Sequence, residues 1–245
     1  MKKAAREEFN RFAEMIGGNV PGAVYPLSVI GGIQSGDIYE DGGTALIWHK
    51  CGFAVLVGER RADRLAFVYD LIKNGGRRLV LFADDEETAL FFKEKPDIAV
   101  GTRYFYTFDK RESPRTELPE GFSISEINAG NIGGLNGRII PAFSWDNEEF
   151  LEKGKGYCVI HENEPVSWAI SAAVSGNELD IGVETAERYR GYGLASAAAS
   201  ALIGYALSLG KTPVWACHSG NTGSRRTAEK LGFVKTSETR TFGNS

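Results

Sequence analysis

Residues 180–195 run Asp180-Ile-Gly-Val-Glu-Thr-Ala-Glu-Arg-Tyr-Arg-Gly-Tyr-Gly-Leu-Ala195. The alternating apolar residues Leu179, Ile181 and Val183 predict a strand. A short basic loop containing Gly191 and Gly193 follows, and the alanine-rich run from Leu194 to Leu209 then predicts a long helix. A helix that opens straight from a glycine loop leaves its first N–H groups unpaired, with the positive end of the helix dipole behind them. Such a terminus is an anion site, and a diphosphate suits it. Arg188 and Arg190 add charge, while Gly191 and Gly193 let a ligand approach the main chain closely.

Two common phosphate-binding signatures do not fit. A dinucleotide fold wants G-x-G-x-x-G after a first strand and an acid about 20 residues later; here Arg190-Gly-Tyr-Gly-Leu-Ala195 lies deep in the chain. A P-loop needs G-K-[ST], which is absent. A solvated loop on a purely structural α/β domain is the remaining alternative, and the downstream sequence weighs against it.

Further along stand Trp215-Ala-Cys-His-Ser-Gly-Asn221-Thr-Gly-Ser224 and Ala228-Glu-Lys-Leu-Gly-Phe233. Arg190-Gly-Tyr-Gly193-Leu-Ala195 resembles the R/Q-x-x-G-x-G/A loop of the GNAT N-acetyltransferase superfamily. The two later segments are similar to that family's fifth strand, its Asn-capped helix and its terminal Gly-Phe. Across residues 145–233, including Tyr157-Cys-Val-Ile160, Val166-Ser-Trp168 and Glu184-Thr185, the chain resembles the zwittermicin-resistance-like branch. The resemblance implies an α/β (α+β) GNAT fold, the acyl-CoA N-acyltransferase fold, with a mixed sheet flanked by helices. It implies transfer of an acetyl group from acetyl-CoA to a primary amine of a small molecule, by direct attack in a ternary complex. No metal is expected, because no Cys/His pair has metal-ligand spacing except the adjacent Cys217-His218, which cannot form a site alone.

The resemblance also implies a cofactor site. The pantetheine arm pairs with the strand main chain at Ile181 and Val183. The pyrophosphate lies between Arg188 and Arg190 on the main chain of Gly191, Tyr192, Gly193, Leu194 and Ala195. Asn221 and Ser224 are each read either as the cap of their helix or as additional contacts to the arm.

The attacking amine must lose a proton. Glu178, Asp180 and Glu184 share one face of the predicted strand, so any of them can take it, directly or through water. Glu184 is favoured for its place in the family-like Val-Glu-Thr block. His218 closes the next strand and belongs to the residue type that titrates closest to neutrality, although a lone strand-end histidine is more often structural. Many relatives carry a tyrosine four residues before the Gly-Phe pair, as an acid for the leaving thiolate. Ala228 stands there in this chain, which leaves that role to water or another group. Cys158 and Cys217 read as small buried apolar residues, and no His/Asp pattern supports a thiol nucleophile. Trp145, Trp168 and Trp215 read as core, with Trp145 in its polar Ser-Trp-Asp loop a candidate for the acceptor pocket. Two rival functions remain at this point: an acyl-CoA-binding sensor without turnover, and an acyltransferase that modifies a protein.

Composition narrows the setting. The chain has 245 residues, 42% of them hydrophobic, and a formal net charge of −4. No apolar run approaches the ~18 residues of a membrane span, and an acidic balance disfavours nucleic acid as the main partner. Met1-Lys-Lys-Ala-Ala-Arg-Glu-Glu8 has no apolar stretch behind it, so a signal peptide is not expected. Three widely spaced cysteines argue for free thiols in a reducing cytoplasm. A homodimer is compatible with all of this.

Along the chain, a first helix is expected over Ala4–Ile16, stopped by Gly17-Gly18, followed by a glycine-broken region to Gly36. A hairpin (Thr44–Trp48, Phe53–Val57), helix (Ala62–Lys73), strand (Arg78–Ala83), helix (Glu86–Lys93) and strand (Val100–Phe108) complete the first half. Residues 110–121 form the best linker. The second half is expected to run strand (Phe122–Ile127), helical region (Asn131–Phe150), three strands (Gly156–His161, Pro165–Ala173, Glu178–Glu184), helix, strand (Pro213–His218), helix (Ser224–Leu231) and strand (Phe233–Phe242). Both halves thus end hairpin, helix, strand, helix, strand, which suggests a tandem of GNAT-like units: a degenerate one over 1–115 and a catalytic one over 116–245. In the first, Gly58-Glu-Arg-Arg-Ala-Asp63 replaces the glycine loop and puts an acid where phosphate would sit.

Overall fold

The computed structural model describes residues 1–17 and 20–244; Gly18, read as part of the first helix stop, lies outside them. The strands are β1 (Lys2–Lys3), β2 (Gly36–Asp41), β3 (Thr44–His49), β4 (Phe53–Val57), β5 (Val80–Phe82), β6 (Ala99–Thr107), β7 (Ser123–Glu126), β8 (Gly156–His161), β9 (Glu164–Val174), β10 (Glu178–Thr185), β11 (Thr212–His218) and β12 (Val234–Gly243). The α-helices are α1 (Val24–Ile30), α2 (Ala62–Asn74), α3 (Glu86–Lys93), α4 (Asn147–Lys153), α5 (Leu194–Ser208) and α6 (Thr222–Leu231). None is long and apolar enough to cross a membrane.

One sheet holds all these strands in the order β1-β2-β3-β4-β5-β12-β6-β11-β10-β9-β8-β7. The tandem pattern is visible in it. In each half a strand pairs in parallel with the strand that follows its crossover helix: β4 with β5 across α2, and β10 with β11 across α5. The last strands are exchanged. β6, from the first half, pairs with β11 of the second, and β12 returns to pair with β5 of the first. β6 and β12 then lie side by side from Val234↔Thr107 to Gly243↔Ala99. The hydrogen-bonded sheet runs through both halves without a break.

Local sequence explains the elements. β4 is a continuous apolar run and β3 is one between Thr44 and His49; both are buried on both faces, as central strands covered on each side must be. α5 is rich in small residues, and Ala197, Ala198, Ala199, Leu202, Ile203 and Ala206 are buried against β8, β9 and β10. α6 is capped by Asn221 and stopped by Gly232 at φ 95°.

Three expectations are corrected. Residues 6–15 form a 3-10 segment, with Phe9 and Phe12 buried, rather than an α-helix from Ala4. The glycine-broken region contains α1, whose Val24-Tyr-Pro-Leu-Ser-Val-Ile30 is apolar nearly all round because nearly all of it is buried. Pro26 is tolerated in the first turn, where its missing N–H costs nothing. The helical region over 131–150 is mostly irregular, with two short 3-10 turns before α4.

α1 decides where the site lies. It packs on β3 and β4 and also on β9 and β10, which stand far apart in the sheet order, so the sheet curls around it. Just after α1, Gln34 fastens the halves together. Its side chain donates to Ser144 O at 3.1 Å and Ala172 O at 3.2 Å, and accepts from Val174 N–H at 2.9 Å.

Candidate active site

β10 and β11 pair only from Glu178↔Thr212 to Asp180↔Val214. Beyond that point β10 stays with β9, and β11 stays with β6. The two strands therefore part, and the main-chain edge of β10 from Ile181 to Thr185 faces a cleft of about 800 Å³. Ile181 and Val183 stand on this edge, where an extended arm can add as a strand.

The glycine loop closes the wide end. Gly191 and Gly193 adopt φ 90° and 78°, and Gly193 is the left-handed N-cap of α5. A Cβ built on either would meet nothing within 4 Å. The N–H groups of Ser196 and Ala197 both turn back to Gly193 O. Those of Tyr192, Gly193, Leu194 and Ala195 find no acceptor among the described residues. Arg190 lines the cleft, 64% exposed, with Glu187 3.7 Å away. Arg188 lies over the Tyr189 ring and 3.8 Å from Glu164. Tyr192 is exposed beside Phe122. On the opposite wall Arg226 and Lys230 face the same space, one helical turn apart on α6.

Asn221 and Ser224 have defined structural partners. Asn221 Oδ1 accepts the N–H of Ser224 at 3.1 Å, and Ser224 Oγ accepts Trp215 Nε1–H at 3.0 Å. The first half repeats the cap, with Asp85 accepting Thr88 N–H at 2.8 Å. Arg60 donates to Gly58 O and reaches Asp85 at 3.2 Å, while Arg64 is buried against Asp41, Thr44 and Glu59.

The acid–base candidates differ sharply in environment. Asp180 is 3% exposed. Tyr25, reaching over from α1, donates its hydroxyl to Asp180 Oδ2 at 2.7 Å, and Oδ1 has no partner among the described residues. Burial pushes the Asp180 carboxyl up to about 7; the Tyr25 hydrogen bond and the Arg103 charge pull it down, and burial wins. Burial also holds the Tyr25 phenol well above its ordinary value, so it serves as a neutral donor. Glu184 is arranged otherwise. Its Oε2 accepts the backbone N–H of both Arg138 and Ile139 at 2.7 Å, tying the loop before α4 to β10. Glu178 is raised by burial and lines a separate, smaller cavity behind Asp180. His218 stands at the mouth, with Nδ1 accepting Gly220 N–H.

Other residues singled out in the sequence fall into the core. Trp145 is 1% exposed and donates to Ser171 O at 2.7 Å, so it does not line the acceptor side as its polar loop suggested. Ala228 is fully buried. Burial raises the Cys158 thiol to about 11 and raises Cys217 as well, which leaves little thiolate at neutral pH. Tyr25 and Arg103 were not foreseen; both reach the cleft from the first half.

Comparison with known proteins fits this geometry. The chain matches the family model described as GNAT acetyltransferase over residues 23–242. It belongs to that family. The match spans both halves, exchanged strands included. A curated relative, described as an uncharacterized N-acetyltransferase of Bacillus subtilis (strain 168), is 28% identical over 232 residues, 89% of this chain and 84% of that protein. A crystal structure of a GCN5-related N-acetyltransferase-like protein from Streptococcus suis 89/1591 superposes with a TM-score of 0.76 at 25% identity, covering 98% of this chain and 99% of that one. A tandem GNAT protein from the clavulanic acid biosynthesis pathway shares the fold at 14% identity, with a TM-score of 0.64 over 98% of this chain and 96% of that one.

Proposed function

We propose that this GNAT protein is a cytoplasmic, acetyl-CoA-dependent N-acetyltransferase that acts on a primary amine of a small molecule, with Asp180 as the general base. The observation that carries the reading is the convergence of two things on one cleft. Unpaired amides at the start of α5 suit a diphosphate, and a buried carboxylate poised near neutrality lies where the strands part. Gly191 and Gly193 leave the diphosphate room.

Acetyl-CoA supplies an activated acyl group: the amine attacks its carbonyl, the C–N bond forms and the C–S bond breaks. The chain's own residues do the rest. The β10 edge positions the arm, and the α5 terminus holds the diphosphate. Asp180 removes the proton that the ammonium must lose, while Tyr25 fixes the carboxylate by its hydrogen bond. Glu184 holds the 137–139 loop over the strand. With Ala228 in place of a tyrosine, water is left to protonate the departing thiolate.

Two measurements test the scheme. Free CoA release over an amine library should give initial-rate lines that intersect, since both substrates bind before transfer. Parallel lines, or an acetyl group trapped on Cys158 or Cys217, would defeat direct transfer. Saturable acetyl-CoA binding with no turnover over a broad library would favour a sensor. Calorimetry on the whole chain should count one acetyl-CoA per chain, because the first half's equivalent site is crossed by Arg60–Asp85 and filled by Arg64. Two equivalents would contradict a degenerate first half.

A further inference from the structure

The cleft holds a cation with no bonded counter-ion among the described residues. Arg103, on β6, lines the cleft beside His218, with which it is paired across the strands. Its guanidinium lies 4.3 Å from the centre of the Phe53 ring, and Nη2 donates to Ala216 O at 3.0 Å. That is its one hydrogen bond among the described residues, out of five N–H donors. The Nε–H is buried with no acceptor at all among them. Arg78 lies over the same Phe53 ring at 4.8 Å and donates only to Cys51 O, so it too lacks an ion-pair partner among the described residues. Asp180 feels the Arg103 charge but is not bonded to it, since its one hydrogen bond among the described residues goes to Tyr25.

A guanidinium left partly desolvated in a substrate cleft, with an unfilled donor, is costly unless something anionic completes it. We infer that the acceptor amine carries a carboxylate and that Arg103 binds it. The planar guanidinium suits a carboxylate better than a point charge does. Position sets a scale. Asp180 is level with Val214 on β11, whereas Arg103 bonds the main-chain oxygen of Ala216, two residues further along that strand. Two residues along a strand span ~7 Å. An amine at Asp180 and a carboxylate at Arg103 are therefore several bonds apart, as in an ω-amino acid, rather than on one carbon. The exchange of β6 gains a purpose here, because it carries a first-half arginine to the second half's site. This inference rests on the acyl-transfer reading only for the identity of the amine end.

The test keeps the two apart by measuring binding as well as turnover. Calorimetry on the CoA-loaded protein would titrate the amino acids from glycine to 6-aminohexanoate, each beside the n-alkylamine that lacks its carboxyl. The acid-bearing member should bind at least tenfold tighter for chains of about four to six carbons, as charge-assisted hydrogen bonds allow. Arg103→Gln should collapse the ratio within each pair toward one, and Arg103→Lys should restore part of it; thermal melts check that both fold. Equal affinity within pairs across the series, or a ratio unaltered in Arg103→Gln, overturns the inference even if neutral amines are acetylated. Tight, Arg103-dependent binding without any acetylation upholds the carboxylate site and overturns the proposed activity instead.

Discussion

Gly193→Val should weaken acetyl-CoA binding strongly while leaving the chain folded. Gly193 sits at φ 78°, where a β-branched residue is strained. A Cβ there enters open space on the cleft side, so packing does not oppose the substitution. What it obstructs is the space over the free N–H groups of Gly193, Leu194 and Ala195. Losing two charge-assisted hydrogen bonds, at about 1.5–3 kcal/mol each, weakens binding by ~10²-fold or more. Gly193→Ala, with a smaller side chain and less strain, should fall between. Isothermal titration with acetyl-CoA, beside a thermal melt, makes the comparison. An unaltered affinity in a folded Gly193→Val protein would remove the diphosphate from this loop.

Much of this site was readable in the sequence because it is built from local features. A strand, a glycine loop and a helix N-terminus are contiguous over residues 178–208, and their chemistry depends on spacing alone. The Asn221–Ser224 cap is likewise a short local pattern. What sequence could not supply comes from distant chain. Tyr25 meets Asp180 across 155 positions, and its helix was hidden by Pro26 and the flanking glycines, which read as loop when burial is unknown. Arg103 reaches the cleft only because β6 leaves its own half to pair with β11. Strand exchange of this kind leaves no periodic signal, since β6 and β12 have the same pattern whichever half they complete. Glu184 illustrates the converse: its position on the strand was read correctly, but its two backbone N–H partners lie in a loop with no regular pattern.

Asp180→Asn should lower kcat by ~10²–10⁴-fold, the usual cost of losing a general base, with a much smaller effect on acetyl-CoA affinity. The amide keeps an oxygen for the Tyr25 hydroxyl, so the buried contact survives. In the wild type the base works only when ionised, so kcat should fall as pH drops below about 7, the value to which burial raises this carboxyl. The same shift gives an independent check through stability. A carboxyl raised from its unfolded 3.8 to about 7 binds its proton more tightly in the folded state. Its favourable contribution is complete below pH ~4 and is lost as pH rises through 7. Asp180→Asn should therefore match or exceed the wild type in thermal stability at pH 8, where the wild type buries a charge, and the difference should shrink at pH 5. Glu184→Gln provides the contrast. Its remaining oxygen can still accept from the Arg138 and Ile139 amides, so turnover should stay near wild type. If instead Glu184→Gln loses turnover while Asp180→Asn keeps it, Glu184 is the base and Asp180 only anchors Tyr25. A low-pH limb that persists unmoved in Asp180→Asn would likewise take the titrating role from this residue and return it to Glu184 or His218.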